Sequence, residues 1–565
     1  MSADGDEPMR GTQAIAYPGA VSLAAAAVAV YQLYRTWRQR PRNVNTQPFS
    51  LWLGPFGNLP FFIDMVKHAS QKLHLDFFHD LLEDRGSTVA MKFPLTPWWV
   101  MTRSPDNIRH ILSTSFHSYP KGPWFCGKLQ ELLGVGIFNA DGQAWHHQRK
   151  TASHMFTARL FKEHIWAVVR RNAKKMRSIL EDLPSDKPID VFNLMNRFTL
   201  DTIGEIGFGK CIGSLDDPSS PFLQSFDRAQ QISLTRFYMP CWRWRRWLRI
   251  GEERDTREHF GRLDAYSRGV VRDLRRAIAR EGDAAKDRRV LFADIEARKS
   301  FVGLFLEDAR KRGEDLSEDY LRDLVLNFLI AGRDTTAQAL SWSVYCLCKH
   351  PEAAEKAREE ALLVAGGQDL AYEDIARLPY LQAVLNEALR LYPSVPVEIK
   401  MADHDDVWPD GTVVRRGNVV LYNIYSLGRD KAIWGPDAEE FRPERWLEMD
   451  RMPDSYKFPV FNAGPRECLG KRLANVEMKT CLATLLSRVT FKLAVDEAQI
   501  TKDCQLTIGM ASGLPCFVEP LCKVRRSNSF TSSTEVSTIT DAEAEESDDL
   551  ADTISLASRP DALGL

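Results

Sequence analysis

The sequence predicts a mainly α-helical protein with small β-sheets, and three observations carry that prediction. Between Ser50 and Val524 the apolar residues recur mostly at the three- and four-residue spacing of amphipathic helices. Strand-like stretches are few and short: "TVAMKF" (Thr88 to Phe93), "PWWVMT" (Pro97 to Thr102) and "NVVLYNIYSL" (Asn418 to Leu427). No internal repeat divides the body, so residues 50–524 read as one large domain.

Composition sets outer limits on function. The chain has 565 residues, 44% hydrophobic and 27% charged, and a formal net charge of −2. Nothing in that balance marks a polyanion binder, which argues against nucleic acid as a partner. Its ten cysteines are scattered, without paired C-x-x-C clusters for zinc or the density of a secreted disulfide scaffold, and fit a reducing compartment. Cys346 and Cys348 stand two apart on a helical pattern, point to different faces, and read as small buried residues.

The N-terminus is expected to hold an anchor. Residues 1–13 are followed by "AIAYPGAVSLAAAAVAVYQLY" (14–34), 21 residues without a charge and long enough for one membrane crossing. Arg35, Arg38, Arg40 and Arg42 open a basic linker (35–49), against Asp4, Asp6, Glu7 and Arg10 on the other side. The positive flank places residues 1–13 in the lumen and the body in the cytosol, as expected for the endoplasmic reticulum. A cleaved signal peptide is the competing reading, but its basic charges would precede the apolar run. At the other end, 525–565 is Ser/Thr-rich and then acidic, with seven acids and no base from Asp541 to Asp552, and is expected to be disordered. Arg525 and Arg526 before Ser527 and Ser529 could mark a phosphorylation site there.

The chemistry concentrates around Cys468 in "KFPVFNAGPRECLGKRLANVEMK". A metal-binding thiol must be a thiolate, which backbone N–H groups and a following helix N-terminus stabilise. Gly464 and Gly470 let the backbone approach something flat, Pro465 stiffens the loop, and Leu473 to Leu486 reads as the helix. A nucleophilic cysteine would need a base, and the nearest preceding histidine is His404. Arg466 points to an anion nearby.

Four further patterns stand upstream. In "NEALRLYP", Glu387 and Arg390 share a helical face at i and i+3. "FRPERW" offers Arg445. "NFLIAGRDTTAQALSW" places Ala331, Gly332, Asp334, Thr335 and Thr336 inside an apolar helix, where small residues open a groove and a threonine can bond back to an i−4 carbonyl. In "DGQAWHHQRK", Trp145 and Arg149 present two donors on one face, suited to a carboxylate; His146, His147 and His154 read as a solvated face.

The run F-x-x-G-x-R-x-C-x-G, here Phe461, Gly464, Arg466, Cys468 and Gly470, resembles the haem-thiolate loop of the cytochrome P-450 superfamily, and the upstream patterns follow in the family's order. The resemblance implies the cytochrome P-450 fold and haem b, with O2 and NADPH-derived electrons as co-substrates. It makes Cys468 the axial iron ligand, Trp145, Arg149 and Arg466 propionate contacts, and Glu387, Arg390 and Arg445 a structural charge network. Asp334 and Thr335 would steer protons to bound oxygen, although a solvated acid is the plain alternative for Asp334. One departure is Val397, where many relatives carry an arginine in "PSVPVEIK".

No flavin- or nicotinamide-binding pattern is present, so the resemblance implies a membrane-borne NADPH-dependent flavoprotein reductase, docking near Arg149, Lys150, Lys471 and Arg472. Longer runs resemble the branch that hydroxylates long-chain fatty acids or alkanes at or near the terminal (omega) carbon. Phe138, Ala331, Val395, Pro396, Ile508 and Met510 are then the candidate substrate residues. "CWRWRRWLRIGEE" reads either as an interfacial helix or as a helix packing its tryptophans on the body. The protein is expected to act as a monomer on a lipid-like molecule. Competing functions are oxidation of sterols or foreign compounds, hydroperoxide rearrangement, and non-catalytic haem sensing or electron transfer.

Overall fold

The computed structural model describes residues 30–46, 58–156, 160–218, 220–239, 241–279 and 300–521. The expected anchor lies mostly outside these residues, and the acidic tail entirely so. Among the described residues no helix is long and apolar enough to cross a membrane.

The helices that build the site are, in order, α1 (Gly122–Leu133), α2 (Gly142–Ser153), α3 (Trp166–Glu181), α4 (Val191–Phe208), α5 (Pro221–Tyr238), α6 (Trp242–Leu248), α7 (Thr256–Ala279), α8 (Glu318–Lys349), α9 (Pro379–Leu391) and α10 (Lys471–Leu486). Their ends follow from local chemistry. Ser317 caps α8 by accepting from the Tyr320 N–H at 3.2 Å, with Glu318 and Asp319 in its first turn. Pro351 pushes His350 out of helical geometry and stops the helix. Asp190 caps α4, and Gly209 ends it in the left-handed conformation at φ 66°. α8 is the axis of the bundle: it packs against α4, α7, α9 and α10, and nearly every side chain from Leu321 to Leu347 is buried.

The main sheet has five strands, β1 (Asn45–Thr46), β2 (Thr88–Lys92), β3 (Trp98–Thr102), β5 (Val397–Met401) and β6 (Val419–Asn423), in the order β1-β2-β3-β6-β5. A smaller antiparallel sheet joins β4 (Ile189–Asp190), β7 (Val489–Leu493) and β8 (Pro515–Pro520). Both faces of the main sheet are covered. Ala90, Val100, Val420 and Tyr422 pack on one side, while Val89, Met91, Trp99, Met101, Val419 and Leu421 pack on the other. A sheet buried on both faces needs no polar alternation, which is why "TVAMK" and "WWVMT" read as continuous buried runs.

The third strand-like stretch is shorter than the sequence suggests. Asn423 ends β6, and its side chain accepts from the Ser426 N–H, starting a short helix over Ile424–Leu427. An Asx cap competes with the strand and wins.

Candidate active site

The charge network assembles deep in the protein. Glu387 is fully buried and accepts two bonds from Arg390, both at 2.8 Å, one from Trp446 Nε1 at 2.9 Å, one from the Arg442 N–H at 3.0 Å and one from Arg445 at 3.3 Å. Arg390 also donates to the carbonyls of Gly428, Ala438 and Glu440. Arg445 donates to the Trp434 and Asp437 carbonyls. A buried carboxylate with five donors holds α9 to the loop around 434–446 and fixes the frame beneath the cysteine loop.

That loop is built from backbone bonds. The Cys468 N–H donates to the Phe461 carbonyl at 2.7 Å, and α10 begins three residues later. Tyr422 Oη, on β6, donates to Asn462 Oδ1 at 3.1 Å and pins the loop to the sheet. Gly464 sits at φ 63°, and a Cβ there would lie 2.3 Å from the Leu112 carbonyl oxygen. Its missing side chain therefore makes room for the segment His110–Thr114 rather than for a porphyrin. At Gly470 a Cβ would sit 3.9 Å from Cys468 Sγ, an ordinary contact beside the thiol.

Cys468 is solvent-accessible, yet desolvation by surrounding protein is the largest influence on its thiol and pushes the pKa up. Both hold together only for a group lining an interior space. The Gly470 N–H and the Arg149 guanidinium pull the other way, favouring thiolate.

A ring of cations borders this loop. Arg466 donates to the Ala140 carbonyl at 3.0 Å and to Asp141 at 2.6 Å, and its guanidinium lies 4.6 Å from the Trp145 ring centre. Arg149, half-buried on α2, has no hydrogen-bond acceptor or ion-pair partner among the described residues; the charges nearest in effect are Cys468 and Glu467. Lys121 pairs with Glu398 at 2.8 Å.

The most telling group is Lys400, which the sequence reading passed over in favour of Val397. It is 1% exposed, and Nζ has no hydrogen-bond partner. Burial, then the charges of Lys121 and Arg466, drives its pKa well below the ordinary lysine value. The strand register explains the oversight. Lys400 and Glu398 lie opposite Val420 and Tyr422, on the face toward the cysteine loop, while Val397 and Ile399 belong to the other face. The signal was present as "VEIK", two charged residues alternating in a buried strand.

On α8, Leu321 to Leu347 is buried except at Ala331, Gly332 and Thr335. Ala331 and Thr335 share one helical face, so an opening exists at mid-helix inside otherwise packed protein. Gly332 serves close packing: a Cβ there would come within 2.4 Å of Ile203 on α4. Thr335 Oγ1 donates to the Ala331 carbonyl at 2.8 Å, and Ser394 Oγ donates to the Thr335 carbonyl at 2.7 Å. The helix nevertheless runs unbroken.

Asp334 is not a solvated acid. It is 3% exposed and accepts from Arg333 at 2.9 Å, while Arg333 also donates to Asp227 on α5 at 2.6 Å. Burial pushes its pKa up to about 6, with Arg333 opposing.

The remaining candidates separate. Phe138 and Val395 keep accessible surface, and Phe461 is half-buried beside the loop. Pro396, Ile508 and Met510 are buried: Ile508 bonds through its backbone to Trp342 and Ser394 and has no accessible surface. His146, His147 and His154 are exposed, Cys346 is buried, and no cluster of three metal-binding side chains occurs among the described residues.

These groups fit a haem. A thiol reaching an interior space matches an iron ligand, and a buried ammonium without an acceptor, within reach of the Arg466 guanidinium, matches a haem propionate.

Comparison with known proteins agrees. The cytochrome P450 family model matches residues 53–515. The chain is 38% identical to cytochrome P450 86B1 of Arabidopsis thaliana, over 74% of this chain and 77% of that protein. It is 34% identical to cytochrome P450 704C1 of Pinus taeda, over 81% and 91%, and 34% identical to cytochrome P450 94A1 of Vicia sativa, over 74% and 81%. A haem-thiolate monooxygenase using haem b, O2 and NADPH-derived electrons accounts for the whole arrangement around Cys468, and the chain belongs to the cytochrome P450 family.

Proposed function

We propose that the protein hydroxylates long-chain fatty acids or alkanes at or near the terminal carbon. The observation that carries this is the mid-helix opening on α8, where Ala331, Gly332 and Thr335 break a buried stretch and Ala331 and Thr335 share one face. It offers an apolar contact beside a hydroxyl, as a chain end needs. The resemblance of the runs around Trp145 and Pro396 to terminal hydroxylases supports the same substrate class.

Haem bound through a thiolate supplies the oxygen-activating chemistry. The chain's own residues do the rest. Cys468 would provide the thiolate, and Lys400, Arg149, Arg466 and Trp145 would hold the propionates. Asp334, with a pKa of about 6, takes up and gives up a proton near neutral pH. Thr335 presents its hydroxyl at the opening, and the bond to Ala331 sets its direction.

An N-terminal anchor in the endoplasmic reticulum membrane, a cytosolic monomeric body and electron supply from a flavoprotein reductase complete the proposal. A basic linker after the apolar run supports the topology. Spin-state titration with fatty acids of graded length, followed by location of the hydroxyl in each product, tests the reading. Long chains should shift the Soret band and yield terminal alcohols; flat responses, with turnover of sterols instead, would overturn it.

A further inference from the structure

Lys128 on α1 is a charge without a counterion. It is 9% exposed, and among the described residues its ammonium has no carboxylate partner and no hydrogen-bond acceptor. Two aromatic rings hold it instead. Nζ lies 4.3 Å from the ring centre of Trp124, one turn earlier on the same helix face, and 5.8 Å from that of Phe237 near the end of α5. The charges that act on it are those of two cations, Arg243 and Arg236, and with burial they lower its pKa to about 8. The nearby acids are engaged elsewhere: Arg236 takes Glu253 at 2.7 Å and also Glu131, which accepts from Arg246 at 3.1 Å as well. Keeping a cation buried is costly unless an anion meets it.

α1 bridges the two elements that flank the mid-helix opening. Its start is tied to β5, where the Met401 N–H donates to the Pro120 carbonyl at 2.9 Å. The loop that follows it is tied to α8, where the Phe138 N–H donates to Asn327 Oδ1 at 3.2 Å, one turn before Ala331. Ser394, just before β5, donates to the Thr335 carbonyl at 2.7 Å and closes the frame. Across from β5, α1 packs on α5, where Phe237 meets Trp124 and Phe125 with ring centres 5.5 and 5.7 Å apart. The seam between α1 and α5 is therefore walled by aromatic rings and carries Lys128 on its edge.

We propose that Lys128 receives the carboxylate of a free fatty acid whose alkyl chain follows the Trp124–Phe237 seam and ends with its methyl group at Ala331 and Thr335. The inference rests on the long-chain reading above and narrows it, choosing the acid over the alkane. An alkane gains nothing from an ammonium group. A carboxylate supplies the missing counterion, and its chain takes the apolar contact that the rings offer. Holding one end of the chain also fixes which carbon reaches the opening.

The test follows spin-state binding of sodium hexadecanoate, methyl hexadecanoate and hexadecane to the full-length, haem-loaded protein and to its Lys128→Met and Lys128→Arg variants. The parent should bind the acid most tightly. Lys128→Met should weaken the acid about 10- to 100-fold, the worth of one charge-assisted hydrogen bond, and leave the ester and the alkane within about twofold. Lys128→Arg should keep the preference for the acid. In turnover with reductase and NADPH, Lys128→Met should spread the hydroxyl from the terminal carbon to positions further inside the chain. An unchanged CO-bound ferrous spectrum would certify the fold of each variant. Equal weakening of all three compounds in Lys128→Met, or undiminished binding of the acid, overturns the anchor while the long-chain reading stands. A parent that binds none of the three overturns that reading and the anchor with it.

Discussion

Replacing Lys400 by methionine should move the stability of the haem-free protein and its hold on haem in opposite directions. Lys400 is 1% exposed with an unpartnered Nζ, and the nearby carboxylates are engaged elsewhere, Glu398 with Lys121 at 2.8 Å and Asp141 with Arg466 at 2.6 Å. An unsatisfied buried donor costs about 1–3 kcal/mol, and methionine keeps the volume while removing it, so the haem-free protein should gain about that much. Denaturant unfolding reads this as a raised midpoint at unchanged slope. The loaded protein instead loses a charge-assisted hydrogen bond to a propionate, about 1.5–3 kcal/mol, so haem transfer to apomyoglobin should accelerate about 10- to 100-fold. Folding lowers the pKa of Lys400, so the unfolded chain binds a proton that the folded chain does not. Haem-free stability should therefore rise with pH up to the ordinary lysine pKa, and the variant should flatten that rise. A destabilised haem-free variant that keeps haem at the parental rate would refute the assignment.

Glu387→Gln removes a buried charge from two arginines and should destabilise the protein by about 3–5 kcal/mol, visible as loss of haem incorporation on expression. Thr335→Ala should leave substrate-induced spectral shifts intact while lowering product formed per NADPH consumed; unchanged coupling would remove Thr335 from proton delivery. Asp334 has its pKa raised to about 6, so the folded state holds a proton that the unfolded state has lost, and stability falls as pH rises from about 4 to 6. Asp334→Asn should abolish that fall and stabilise the protein above pH 6, yet uncouple turnover. A variant with parental coupling and pH dependence would show that Asp334 carries no proton.

The cysteine loop and the α9 network were legible because their chemistry is local: a spacing fixes which groups share a helix face or a turn. Lys400 was not, because its significance comes from the pairing of β5 with β6, which places a strand residue beside Arg466, 66 positions later. Gly464 and Gly332 misled in the same way. A missing side chain shows that something comes close, and only the packed chain shows that it is Leu112 in one case and Ile203 in the other. Ile508 and Met510 look identical in sequence to pocket-lining residues, since apolar character is shared by walls and core. On α6 the tryptophans divide, with Trp242 against Arg236 on the body and Trp244 and Trp247 exposed, a split set by where α5 places Arg236.

The central claim is that Cys468 holds a haem whose activated oxygen is inserted at the end of a long chain. The full-length protein, loaded with haem and supplied with reductase, NADPH and ¹⁸O2, should convert a long-chain fatty acid to a terminal alcohol carrying one ¹⁸O atom. Cys468→Ser should lose both this product and the red-shifted CO-bound ferrous Soret band. Unlabelled product, or labelled product from the Cys468→Ser protein at the parental rate, would contradict the account.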